Sequence, residues 1–380
     1  MGRKTWQFEA LDTLFFKESR PIDSVGAAQL ASQFPPPVRT LVGAIRTAIG
    51  DQLGGDWQGY KQACLGNQLH PLKEAIGTPD SLGPLSFGGP WLAINGERLY
   101  PMPLIVLRGE GGMARLQPGN IVQTDLGQVC LPEMQPALAG AKPLDGAFVN
   151  AAGVQRIMAA ESPQEEQIYS VAGDGGDKPA LFHHEERLGI ARDNRSRVTG
   201  DGLLYQTRHI RPAPGLVVEL DVGGAAEHKS AFVRLGAEGR LAHVSNSDAR
   251  PVPELPIAPQ GATGLLLVLL TPALFANGWL PDGLHAEPCE NQTFWQGELH
   301  SVGVKLVCSV VGKPLREGGW DMVNHMPRPL AGMVPAGSCY FVELDEGVDL
   351  QLAARQLHGK QIGKEQEWGR GLLAVGFWKK

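Results

Sequence analysis

The sequence predicts an α+β protein of two domains, each with the element order β-α-β-β-α-β, the ferredoxin-like order. Three observations predict it. The chain is 380 residues long, above the roughly 100–200 of one ordinary domain. A hydrophobic share of 43% against a charged share of 19% supplies enough apolar surface for cores. Strand-like runs and helical periods recur in the same order on both sides of one proline-rich segment, Arg250 to Gln260.

The first domain is expected over residues 1–250. Trp6, Phe8 and Ala10 alternate with Thr5, Gln7 and Glu9, the period of a strand. A polar loop runs from Lys17 to Gln33. Pro35, Pro36 and Pro37 then precede Val38, Leu41, Val42, Ile45, Ala48, Ile49 and Leu53 at helical spacing. Proline is tolerated at a helix start because its missing N–H would lack a partner there anyway, so a helix is expected from Pro37 to Leu53. Residues 54–180 are rich in glycine and proline, with one short helical pattern at Asn150 to Ala160. They read as large insertions into the first domain. Arg187 to Arg192, Leu203 to Arg211, Leu216 to Val222 and Arg240 to Val244 read as strands. Ala225 to Leu235 reads as a helix ended by Gly236. The linker, 251–260, holds Pro251, Pro253, Pro256 and Pro259. In the second domain, 261–380, Leu265 to Leu270, Val302 to Val311, Ser338 to Leu344 and Leu372 to Trp378 read as strands. Thr271 to Leu280 reads as a short helical or turn segment, and Val348 to His358 as a helix.

Composition excludes several function classes. Lys and Arg number 34 against 40 Asp and Glu, a net charge of −6 that disfavours nucleic-acid binding by gross charge but leaves room for a local basic groove. The five cysteines are odd in number, widely spaced and without a C-x-x-C, which fits a reducing cytoplasm and excludes a disulfide scaffold or zinc ribbon. The N-terminal residues carry charge through their apolar part and do not read as a signal peptide. The longest apolar run, Gly264 to Phe275, is broken by Thr271 and Pro272 and is too short to span a membrane, so a soluble protein is expected. No Walker loop, dinucleotide fingerprint, nucleophile elbow or H-E-x-x-H occurs, so no cofactor and no metal is expected. His183 and His184 are adjacent, and on a strand they point to opposite faces.

Four constellations remain. On the helix after the triple proline, Arg39, Gly43, Arg46 and Gly50 form a second, narrow stripe beside the apolar one, with Thr40 in the first turn. Arginines between glycines let a phosphate approach closely; the alternative is a solvated face packed on a neighbour. The loop before that helix carries Lys17, Ser19 and Arg20, two cations and a hydroxyl; the alternative is an ordinary polar loop. Between Glu185 and Arg211 there are six arginines and four carboxylates, and Arg192, Arg195 and Arg197 fall in a turn between strands. Guanidinium groups on a hairpin tip can fork onto phosphates; the alternative is a hairpin with local ion pairs. Near the C-terminus, Gly369, Arg370 and Gly371 precede the last strand, where glycine permits a tight turn or close approach to a ligand.

Several segments together resemble a known family. Phe15 to Pro21 followed by Phe34 to Pro37 and Gly43-Ala44-Ile45-Arg46 resembles the N-terminus of a CRISPR RAMP protein. Gly189 to Arg192 with Gly202 to Tyr205 resembles its central hairpin. Leu235 to Arg240, Thr271-Pro272, Gly278-Trp279, Gly318 to Asp321 and Val334 to Ser338 are similar to later landmarks. The set is similar to the third-subunit family of the type III-B effector, the Cmr RAMP module, over nearly the whole chain. The resemblance implies two ferredoxin-like (RRM-like) domains. It implies a non-catalytic, cytoplasmic subunit for antiviral defence that binds the 5′ repeat-derived tag of CRISPR RNA and meets target RNA only indirectly. It implies two protein partners, the large polymerase-like subunit and the first backbone RAMP subunit, with a glycine-rich loop at Gly369 to Gly371 as a hallmark.

Two other classes are weighed. A RAMP-type metal-independent endoribonuclease needs a general base and acid, for which His183, His184, His209 and Tyr205 are the candidates. A purely structural adaptor would use the Gly/Pro-rich insertions as partner surfaces.

Overall fold

The computed structural model describes residues 2–18, 29–124, 127–171, 178–192, 195–196, 198–225, 230–289, 292–321 and 323–379. It is a mixed α+β fold dominated by antiparallel strands. The chain forms two compact units, each assembled from separated stretches: Met1–Gly96, Val171–Ala249 and Arg316–Ala331 in the first, Glu97–Ser170, Arg250–Leu315 and Gly332–Lys380 in the second. Residues 97–170, read from the sequence as an insertion into the first domain, therefore build the second unit. A short piece of the C-terminal half, 316–331, builds the first.

In the first unit the strands Ser86–Ile94, Leu216–Gly223, Lys4–Ala10, Leu241–Asp248 and Ala231–Arg234 lie side by side in that order, all antiparallel. The expected alternation at the N-terminus holds: Trp6 and Phe8 are buried, and Trp6 faces Leu220 and Asn246 on its neighbours. The polar positions that turn inward find partners. Thr5 donates to Asp221 (2.6 Å), and the Trp91 indole donates to the other oxygen of the same carboxylate (3.0 Å). The helix Val38–Gln52 follows Pro37 as expected and buries Val38, Leu41, Val42, Ile45, Ala48 and Ile49. Helices Trp57–Leu65 and Pro71–Ile76 follow it.

The expected helix at 225–235 does not form over its described part. Ala231–Arg234 is instead an edge strand, with Val233 buried and Phe232 exposed. A run as short as Ala-Phe-Val-Arg satisfies either period. Pairing with Leu241–Asp248 across the turn at 235–240 supplies the hydrogen bonds that a one-turn helix would lack.

In the second unit, Leu373–Trp378, Gly264–Leu269, Cys339–Leu344 and Val302–Val310 lie side by side, again antiparallel. Their faces are almost wholly apolar, as the unbroken Leu-Leu-Leu-Val-Leu run at 265–269 anticipated. Helix Leu350–Leu357 buries Ala353, Ala354 and Leu357. The segment 271–280 makes no helix; Ala273 and Leu274 bridge to Val334 and Lys364. The proline-rich segment is docked on this unit: Ala258 N donates to the Gln351 side chain (2.7 Å), the Gln351 amide donates to Pro256 O (3.2 Å), and His358 Nε2 lies 2.8 Å from Pro253 O. The segment joins no strand ladder, so the Pro253 and Pro256 carbonyls and the Ala258 N–H take side-chain partners instead.

The two units share a sheet order. Numbered by position in the sequence, the four strands Lys4–Ala10, Ser86–Ile94, Leu216–Gly223 and Leu241–Asp248 run fourth-first-third-second across the first sheet. Gly264–Leu269, Val302–Val310, Cys339–Leu344 and Leu373–Trp378 run fourth-first-third-second across the second. Among the described residues, the first set has a helix after its first strand, and the second set has a helix after its third. No helix among the described residues is long and apolar enough to cross a membrane.

Candidate nucleic-acid interface

Two of the four constellations lie on segments joined in one sheet of the first unit. After Phe16 the chain leaves as an arm whose two sides pair: Glu18 N donates to Ala31 O (3.1 Å), Gln33 N donates to Phe16 O (2.8 Å), and Lys17 bridges to Ser32. Lys17 is exposed. Ser19 and Arg20 lie outside the described residues. The returning side, Gln29–Leu30, adds as a parallel strand to Thr199–Pro212, which pairs antiparallel with Phe182–Arg192. Arm and hairpin thus form one three-stranded sheet. At the hairpin's far end Arg192 pairs with Thr199 through the backbone, and Arg195 lies exposed in the turn. Arg197 lies outside the described residues.

The arginines nearer the base of the hairpin are held by carboxylates. Arg187 reaches Glu185 (2.6 Å) and Asp12 (3.1 Å), Arg211 reaches Glu185 (2.5 Å) and Asp12 (3.1 Å), and Arg240 reaches Asp12 (3.5 Å) and Glu238 (3.8 Å). Hydrogen bonds from Arg187 hold the Asp12 carboxyl below its ordinary range, and those from Arg187 and then Arg211 do the same for Glu185. Arg208 pairs with Glu186 (2.5 Å). Asp12, the centre of this network, had no motif to flag it in the sequence.

The candidate nuclease residues are placed otherwise. His209 is 0% exposed and stacks on Phe15, with ring centroids 5.0 Å apart. Its Nε2 lies 3.0 Å from Glu238 Oε2 and its Nδ1 3.0 Å from Thr13 Oγ1. A carboxylate only accepts, so Nε2 carries the proton and Nδ1 accepts from the Thr13 hydroxyl. Both ring nitrogens are occupied in the neutral form. Tyr205 lies over Gly189 across the hairpin, where a Cβ would fall 2.2 Å from its ring. His183 and His184 are exposed on successive positions of the strand.

Burial lowers the His209 pKa. The unfolded chain therefore takes up a proton first as pH falls below about 6.5, and stability falls with it. The depressed carboxyls of Asp12 and Glu185 add a loss of the same sign nearer pH 4. We expect the urea midpoint of the first unit to drop between pH 7 and pH 5, and His209→Gln to flatten that drop; a midpoint independent of pH over this window contradicts the assignment.

The helix stripe is engaged within the first unit. Arg39 Nε lies 3.3 Å from the buried Glu317 carboxylate. Arg46 donates to Thr78 O (2.7 Å) and to the Tyr60 hydroxyl (3.1 Å), and burial lowers its pKa. Gly50 lies against Trp57, where a Cβ would fall 2.4 Å from the ring. Thr40 is half-buried, with its N–H on Pro37 O (3.0 Å). Gly43 alone of the stripe faces open space. Gly43→Ala should raise stability by about 0.5–1 kcal/mol, the helix-interior preference for alanine, read as a higher urea midpoint; a lower midpoint contradicts the open face.

The glycine-rich loop is internal to the second unit. Arg370 is 3% exposed, touches Met333, and its Nε lies 3.0 Å from Glu365 Oε2. Gly369 and Gly371 adopt positive φ, +84° and +69°. At Gly371 the group that approaches closely is the chain's own backbone at Ile362.

Among the described residues no cluster of His, Cys, Asp and Glu could hold a metal ion.

No curated protein sequence matches the chain. Among solved structures, a chain of the type III-B Cmr-beta complex bound to cognate target RNA is 15% identical, with 99% of each chain covered and a TM-score of 0.49. A chain of Cmr-beta bound to cognate target RNA and AMPPnP is 15% identical over 89% of this chain and 86% of that one, TM-score 0.48. A chain of the Csm3–Csm4 subcomplex of the type III-A CRISPR-Cas interference complex is 10% identical over 90% and 94%, TM-score 0.37. The model of the family described as CRISPR-associated protein (Cas_Cmr3) matches residues 6–378. A match of that extent leaves almost nothing of the chain outside it: this protein belongs to the Cas_Cmr3 family of CRISPR-associated proteins.

Proposed function

We propose that the chain is a non-catalytic subunit of a type III-B CRISPR effector in the cytoplasm. It binds the 5′ repeat-derived tag of CRISPR RNA and caps the assembly beside the large polymerase-like subunit, next to the first backbone RAMP subunit. The observation that carries this reading is the sheet shared by arm and hairpin in a chain of the Cas_Cmr3 family: two segments whose paired residues, Gln29 and Gln206, are 177 apart in sequence carry cations on one sheet. Lys17 on the arm and Arg192 and Arg195 at the hairpin tip are proposed RNA contacts, together with Ser19, Arg20 and Arg197, which lie outside the described residues. Arg39, Thr40 and Arg46 support the first unit, which carries these contacts, and the Gly369-Arg370-Gly371 loop supports the second unit. A fixed RNA tag needs local cations, backbone donors and shape, so a net charge of −6 is compatible and limits unselective binding. The shared sheet order favours two ferredoxin-like domains. His209, buried with both nitrogens occupied, speaks for the non-catalytic reading.

The test is retention of CRISPR RNA by the reconstituted effector with the native tag and with a scrambled one. The scrambled tag should be lost at lower salt. Equal retention of both overturns the tag reading, and ultraviolet crosslinks confined to other subunits make this chain an adaptor.

A further inference from the structure

The second unit brings two thiols together. Cys130 lies on strand Gly127–Gln135 and Cys308 on strand Val302–Val310, far apart in the sequence. Both strands join the sheet beside Gln292–Leu299, and they run close to each other. Each cysteine sits where a ladder loses register. Val307 is the extra residue between the pairs Leu306–Val342 and Cys308–Phe341. Gly119 and Asn120 stand opposite Leu131, between the pairs Pro118–Pro132 and Ile121–Cys130. A bulge bends its strand and re-aims the side chains beside it. Between these two bulges the Cys130 and Cys308 thiols are hydrogen-bonded to each other.

The two sulfurs differ in access. Cys308 is 4% exposed, and burial pushes its thiol up to about 12, so it stays protonated. Cys130 is half-buried, and its thiol donates to Gly119 O (3.3 Å). A thiol has one proton to give, so in the contact between the two it is Cys308 that donates and the Cys130 sulfur that accepts. An oxidant arriving from solvent meets Cys130 first, with the Cys308 sulfur already in contact behind it.

We propose that Cys130 and Cys308 are an oxidation site: a hydroperoxide closes them to a reversible disulfide that staples strand Gly127–Gln135 to the sheet of the second unit. Cys130 gives up its proton and its sulfur attacks one peroxide oxygen. The O–O bond breaks, leaving a sulfenic acid on Cys130 and a hydroxide that takes a proton to become water. The Cys308 sulfur then attacks the sulfenic sulfur. The S–O bond breaks, and the hydroxyl leaves with the Cys308 proton as a second water. Two thiols lose two electrons and the peroxide takes them up. The sulfurs must close to ~2.0 Å, and both positions adjoin irregular backbone that can shift without breaking a regular ladder. The bond closes a long loop and so restricts the unfolded chain. Reduced, the pair fits a reducing cytoplasm. Its chemistry is independent of RNA binding.

The experiment is oxidation of the full chain with hydrogen peroxide, then alkylation of the remaining thiols, non-reducing peptide mapping of the monomer by mass spectrometry, and urea unfolding. It is run on the natural sequence, Cys130→Ser and Cys308→Ala. The expected result is a Cys130–Cys308 linked peptide pair, lighter by two hydrogens, reversed by dithiothreitol and absent from both variants. The urea midpoint of the second unit should rise on oxidation of the natural sequence and stay put in the variants. Cys130→Ser changes a partly exposed position and keeps the test decisive where Cys308→Ala fails to fold. Both thiols recovered alkylated, Cys130 recovered as a sulfinic acid beside an alkylated Cys308, or a link from either to Cys64, Cys289 or Cys339 overturns the pair. A Cys130–Cys308 link that leaves the midpoint unchanged or lowers it overturns the staple.

Discussion

Gly371→Ala destabilises the second unit by about 3 kcal/mol, the sum of a left-handed backbone cost of ~1–2 and an overpacking cost of ~1–3. Gly371 has φ +69°, and a Cβ there would lie 1.9 Å from the carbonyl oxygen of Ile362. Neither side can yield freely. Gly371 N donates to Pro272 O (2.9 Å), and Ile362 N donates back to Gly371 O (2.9 Å), so the loop is bonded on both sides to backbone. That loss is a large part of the ~5–15 kcal/mol that holds an ordinary domain together. Urea unfolding of the full chain reads it as a lowered midpoint of one transition. Arg370→Ala should act in the same direction by roughly 2 kcal/mol, because it strands Glu365, which is itself about a third exposed. Neither change should alter the salt dependence of RNA binding by protein that remains folded. A midpoint unchanged in Gly371→Ala contradicts the loop as described, and a salt slope reduced in Arg370→Ala returns that guanidinium to the RNA.

Arg192→Ala, Arg195→Ala and Arg197→Ala together should lower the slope of log affinity against log salt by about 2, since each phosphate contact on a single strand contributes ~0.7. At fixed salt this is a loss of one to two orders of magnitude in CRISPR RNA retention, on the order of 0.5–1 kcal/mol per arginine. The contrast is Arg211→Ala, taken from the network at the base of the hairpin. Its guanidinium is held by Glu185 and Asp12, so its removal should leave the slope intact. Filter binding of the reconstituted effector at several salt concentrations separates the two. A slope unchanged in the triple variant, or lowered equally by Arg211→Ala, places the contacts elsewhere.

Element type was legible wherever a segment was long and its period clean. The helix after the triple proline, the helix near 350 and the apolar strands at 265 and 373 fall within a few residues of expectation. Ala225 to Leu235 failed over its described part because the strand there, Ala231–Arg234, is four residues long and its pairing partner, 241–248, decides its conformation. Unit membership was not legible. Nothing in residues 97–170 or 316–331 states which core they join, because sequence separation carries no record of spatial neighbours.

Within the candidate site, residue type gave chemistry but not pairing. Arg46 and Arg370 read as candidates on residue type alone until Thr78, Tyr60 and Glu365 were in place around them. The partners lie from five to 32 residues away, and no local pattern marks them.

The central claim is that this chain holds CRISPR RNA inside a type III-B effector. The most direct measurement is affinity purification of the tagged chain from its native host, with sequencing of the RNA and identification of the proteins that come with it. The account predicts CRISPR RNAs sharing one defined 5′ tag, together with the large polymerase-like subunit and a backbone RAMP subunit. Recovery of those proteins with RNAs whose 5′ ends are heterogeneous, or recovery of neither RNA nor partner, contradicts it.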